Sequence, residues 1–95
     1  LVNDKPTNIA VANITSRSAV ISWLDPKNHG RYGLLRFRIK LKKNVVIRSL
    51  TTRQKVNEYK IDNLTPHTTY EISVAAGNYK GYSEGTITTF LTSEE

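Results

Sequence analysis

Strict alternation of apolar and polar side chains constrains this chain more than any other feature. In Ser18–Leu24, Ala19, Ile21 and Trp23 fall on one face, with Ser18 and Ser22 on the other. In Leu35–Lys42, Leu35, Phe37, Ile39 and Leu41 alternate with Arg36, Arg38, Lys40 and Lys42. In Tyr70–Ala76, Tyr70, Ile72, Val74 and Ala76 alternate with Glu71, Ser73 and Ala75. A period of two is the signature of a strand buried on one side, because successive side chains leave opposite faces of the pleat. Shorter stretches at Asn8–Ala12, Val45–Leu50, Asn57–Ile61 and Thr86–Leu91 read the same way. Between them lie Asp25-Pro26, Asn28-His29-Gly30, Lys43-Asn44, Thr65-Pro66 and Lys80-Gly81, all turn chemistry. Valine, isoleucine and threonine supply 26 of the 95 residues, which favours the same backbone. Seven short strands, each with one apolar face, must cover those faces against one another. The expected fold is all-β, a seven-stranded two-sheet antiparallel sandwich.

Length allows one domain and no second core. The chain has no cysteine, so disulfides, thiolate nucleophiles and cysteine-held zinc or iron–sulfur groups are excluded. No apolar run approaches the roughly 18 residues needed to span a bilayer, so direct membrane insertion of this segment is not expected.

The ordered motifs resemble a family. Pro6-x-x-Ile9-x-Val11 followed by Ser18-Ala19-x-Ile21-Ser22-Trp23 is similar to the first two strands of fibronectin type III domains. Tyr59-x-Ile61-x-Asn63-Leu64-x-Pro66-x-Thr68-x-Tyr70-x-Ile72-x-Val74-x-Ala76 resembles that family's E strand, EF corner and F strand, and Asn78, Gly81 and Ser83 continue it. One departure is Phe37, where the family usually has tyrosine; the position stays apolar. The resemblance implies an immunoglobulin-like sandwich spanning residues 6–92, with residues 1–5 and 93–95 as linkers. It also implies parents such as adhesion proteins, matrix proteins and receptor ectodomains, including receptor tyrosine phosphatases. An extracellular location, at the surface of a single-pass membrane protein or in matrix, follows from the resemblance. The family also occurs inside cells, in muscle spacers.

Core and surface roles can be assigned from the residues. Trp23, Phe37, Ile39, Leu64, Tyr70 and Ile72 are the structural core. Tyr70 follows a Leu-x-Pro-x-Thr turn, so its ring can pack inward while its hydroxyl reaches corner backbone.

The charge is unevenly placed. Net charge is +6, yet Pro26–Asn57 holds ten basic residues and no acid. Arg36, Arg38, Lys40 and Lys42 share one strand face, about 6.6 Å between neighbours. Like charges at that spacing repel by about 0.6 kcal/mol per pair in unscreened water. Either this is solvated surface that also protects a sheet edge, or it is an anion-binding face with Arg48 and Arg53 adding from the next strand. A protein ligand, a sulfated glycosaminoglycan or anionic lipid headgroups would suit such a face. Nucleic acid would not, since no aromatic residue interleaves with these charges and no recognised motif appears.

Arg31 and Tyr32 in the BC loop, with Tyr79 and Tyr82 in the FG loop, form a second candidate contact at one pole. The same residues could equally serve turns and cover loop backbone. Asn13-Ile14-Thr15 and Asn63-Leu64-Thr65 are N-glycosylation sequons, the second weakened by Pro66.

Catalysis has little to work with. His29 and His67 belong to loops at opposite poles, and no P-loop, G-x-S-x-G or H-E-x-x-H occurs. No catalytic residue, cofactor or metal site is expected. Two roles remain: a monomeric spacer joined to neighbouring domains of the same chain, or a recognition module using the basic face or the loop pole.

Overall fold

The computed structural model describes residues 4–27, 33–34, 36–53 and 55–95. Eight strands occur among them, β1 (Thr7–Ala12), β2 (Ala19–Leu24), β3 (Arg36–Lys43), β4 (Val45–Arg53), β5 (Glu58–Ile61), β6 (Thr69–Asn78), β7 (Gly81–Tyr82) and β8 (Thr86–Leu91). One sheet has the order β1-β2-β5, and the other runs β4-β3-β6, with β7 and β8 both paired to β6. All pairings are antiparallel. The protein is an all-β sandwich of two antiparallel sheets. The strand beyond the expected seven is the two-residue β7.

The alternation in sequence becomes the core directly. Ala19, Ile21 and Trp23 from β2 face Phe37, Ile39 and Leu41 from β3 and Tyr70, Ile72, Val74 and Ala76 from β6. Trp23 meets Phe37 edge-on, with centroids 5.3 Å apart and a 66° interplanar angle. Tyr70 stacks on Phe90 at 5.8 Å. Both geometries suit the ring quadrupole. Leu64 and Ile61 close the core from the other sheet's side.

Two irregularities bend this frame. Asn8 adopts φ 54° inside β1, where the register with β2 shifts between Thr7 and Ala10. Asparagine tolerates this left-handed conformation better than most residues. The β3–β4 register also shifts, so that Leu41 faces Arg48 while Lys42 faces Val46. Ile47 is the extra residue of this bulge. The outcome is that Val45, Val46 and Ile47 are all exposed, Val45 by 67%.

The chain enters and leaves at opposite ends. At the entry, the Thr86 hydroxyl donates to the Pro6 carbonyl, and Thr7 is opposite Leu24. At the exit, the Ser93 N–H donates to Thr15 and the Ser93 carbonyl accepts from the His67 N–H. Arg17 adds an ion pair with Glu95 at 2.8 Å. The long axis measures 46 Å.

Candidate interaction surface

Strand β3 is central in its sheet, so its basic residues have neighbours on both sides. Phe37, Ile39 and Leu41 point into the sandwich, which sends Arg36, Arg38, Lys40 and Lys42 outward. Their partners on β6 are Gly77, Ala75, Ser73 and Glu71 in that order. On β4, Arg36, Arg38 and Lys40 are opposite Arg53, Thr51 and Ser49. All four basic side chains are half-buried rather than free in solvent.

The four are not equivalent. Lys42 Nζ lies 3.6 Å from the Glu71 carboxylate, so one end of the row is neutralised. The Arg38 guanidinium carbon lies over the Tyr82 ring, 4.0 Å from its centroid. Among the described residues no carboxylate pairs with Arg36, Arg38, Lys40 or Arg53. Arg36 and Arg53 stand directly opposite each other with the same charge. That arrangement is unfavourable for the sheet itself.

Arg48 does not join this row. Its cross-strand partner is Leu41, on the inward-facing set, and its Nη2 donates to the Asn63 carbonyl at 3.2 Å. The reason is parity: Arg48 and Arg53 are an odd number of residues apart and cannot share a face of one regular strand.

Tyr82 also lies elsewhere than the FG loop. The loop is a tight hairpin in which the Asn78 Oδ1 accepts the Lys80 N–H at 2.8 Å, and Gly81 takes φ 136°. Tyr82 therefore belongs to β7, opposite Gly77, on the sheet face. A Cβ at Gly77 would come within 2.7 Å of the Tyr82 ring, so the ring's seat exists only because residue 77 is glycine. Tyr79 remains at the hairpin tip, 78% exposed. Arg31, Tyr32 and His29 lie outside the described residues.

The aromatic interleaving that the linear sequence lacks is thus supplied in three dimensions. Tyr82 sits 44 positions from Arg38, and nothing local in the chain links them. The paired glycine and tyrosine, five residues apart across a hairpin, are the only available signal.

At the other pole, Tyr70 OH accepts the Thr65 N–H at 2.9 Å, closing the EF corner. Burial raises the cost of ionising this phenol. The Thr65 N–H at its oxygen, with the positive charges of Lys43 and Arg48, outweighs burial and holds its pKa below the ordinary 10.0. Asn13 and Asn63 are both exposed turn residues with positive φ, 51° and 60°. Trp23 and Leu64 are buried, and the Trp23 indole N–H has no acceptor among the described residues. His67 Nδ1 lies 3.6 Å from Glu94, at the exit end. No group of three or more histidine and carboxylate side chains could hold a metal among the described residues. Among the described residues no helix is long and apolar enough to cross a membrane.

A family model for the fibronectin type III domain matches residues 4–90. A computationally redesigned β-sandwich protein is 29% identical, with 94% of each chain covered and a TM-score of 0.82. The FN3 domain of human collagen XX is 23% identical over 97% of this chain and 95% of that one, with a TM-score of 0.81. Domains d3–d4 of the rat CD45 extracellular region share the fold at 18% identity, covering 97% of this chain and 51% of that one, with a TM-score of 0.84. With residues 4–90 matched by the family model and the two sheets in place, the chain belongs to the fibronectin type III family and is a non-catalytic module of it.

Proposed function

We propose that this domain is an extracellular module of a larger receptor or adhesion protein, serving as a spacer in a tandem array and as a protein contact. The observation that carries this reading is the separation of the two ends: Pro6 is tied to Thr86 at one pole, Ser93 to Thr15 and His67 at the other. A module threaded this way lengthens its parent by about its own long axis, 46 Å. The working unit is residues 6–92, with 1–5 and 93–95 as joins to neighbouring domains. Relatives in the same family of folds occur side by side with other domains, as in chicken CNTN1 FN1–FN3 and titin A168–A170. The threonine-rich β8 and the Asn63–Pro66 corner resemble repeats of receptor tyrosine phosphatase ectodomains, and that resemblance is the basis for including such a receptor among the parents. The isolated domain is monomeric in this reading.

The test is small-angle scattering of the parent segment that carries this domain with a neighbour on each side. An end-to-end array gives a maximum dimension close to the sum of the long axes. A compact particle, with neighbours folded back on one another, would overturn the spacer reading.

A second reading has its own support. Arg36, Arg38, Lys40 and Arg53 share one sheet face without a counter-charge among the described residues, which suits an anion-binding surface. Retention of the domain on immobilised heparin above physiological salt supports it, and flow-through at that salt removes it.

A further inference from the structure

We infer that the anion-binding part of this face is an arginine cluster, Arg36, Arg38 and Arg53, in which Tyr82 positions Arg38, and that its ligand is a sulfated polysaccharide. The inference rests on the second reading above and locates its site. The face is graded along β3: Lys42 is neutralised by Glu71 at one end, while Arg36 and Arg53 oppose each other at the other. Directly opposed like charges weaken a sheet, so their placement is accounted for by an anion that lies between them.

Arg38 is held ready. Its guanidinium carbon lies over the Tyr82 ring, 4.0 Å from the centroid. Held there with Nε buried, the guanidinium keeps its two terminal nitrogens for oxygens of one anion. Tyr82 is held in turn by the missing Cβ of Gly77. Less side-chain freedom then remains to be lost on binding.

The surroundings select the ligand. Ser49, Thr51 and Ser73 border the row, with Ala75 and Gly77 as small floor positions. Protein contacts usually anchor a large apolar side chain in a pocket, and these small and hydroxylic neighbours make none. A flat, hydroxyl-rich strip with cations about 6.6 Å apart suits an extended polymer carrying repeated sulfates.

The experiment is heparin-column elution of the domain beside R36Q/R53Q, K40Q/K42Q, Y82F and Y82L, each checked for folding by circular dichroism. The two double variants remove equal charge. R36Q/R53Q should elute at clearly lower salt than K40Q/K42Q; Y82L should also fall, and Y82F should match the parent. If the parent itself is not retained, the anion reading and this site fall together. If the parent is retained and the two double variants elute together, the localisation is wrong while the anion reading stands. A folded Y82L that elutes like the parent overturns the role of Tyr82. Displacement by polyglutamate as effective as by heparin at equal charge overturns the sulfated ligand in favour of an acidic protein.

Discussion

The phenolic oxygen of Tyr70 accepts the backbone N–H of Thr65 at 2.9 Å, tying the start of β6 to the corner that precedes it. The ring is buried against Phe90, so one side chain joins the core to the chain reversal between the sheets.

Tyr70→Phe keeps the stacking and leaves the Thr65 N–H without its partner. The expected loss is about 1–2 kcal/mol, the penalty for an unpaired, partly buried donor. A urea denaturation curve superimposable on that of the parent would show that water replaces the hydroxyl.

Trp23→Ala empties the largest core position and should cost ~3–5 kcal/mol. Trp23→Phe should cost much less. It keeps an aromatic edge for Phe37 and removes an indole N–H that has no acceptor among the described residues. Equal losses for the two variants, measured in the same denaturant series, would mean that indole volume alone sets the cost.

Thr92 is 1% exposed, and its hydroxyl donates to Thr65 O at 2.7 Å while accepting from Thr68 N at 2.9 Å. Thr92→Val preserves shape and strands both backbone groups, so a loss of about 1–3 kcal/mol is expected. A thermal melt unchanged from the parent would contradict this.

Glu71→Gln releases Lys42 from its ion pair and should raise the salt needed to elute the domain from heparin. Arg48→Gln should change elution less than Arg53→Gln, because Arg48 is turned inward and engaged with the Asn63 carbonyl. The reverse order would mean that the polyanion does not use the outer face of β3 and β4.

Gly77→Ala places a methyl group 2.7 Å from the Tyr82 ring. The ring must move, and the Arg38 stack should be lost with a cost of about 1 kcal/mol in stability. A shift in tyrosine near-ultraviolet circular dichroism would report it; an unchanged spectrum would mean the backbone yields instead.

Much of the fold was legible in the chain because strand alternation is a local property. Ile21 and Trp23, Phe37 and Ile39, Ile72 and Val74 declare their buried face by spacing alone, and burial then forces two sheets together. The corner at Leu64–Tyr70 was legible for the same reason, its partners lying within a few residues. The candidate site was only half legible. That Arg36, Arg38, Lys40 and Lys42 share a face follows from a period of two. That Arg48 and Arg53 cannot both join it follows from the same parity, but which of them does is set by the β3–β4 register, and the bulge at Ile47 could not have been foreseen. Which cations stay uncompensated depends on what the neighbouring strands bring alongside: Glu71 to Lys42, Arg53 to Arg36, and Tyr82 over Gly77 to Arg38. Side-chain alternation is written along a single strand, whereas charge pairing and stacking act between strands far apart in sequence. The sequence alone therefore determined the sandwich and its basic strand. Tertiary register decided where along that strand the charge is left free.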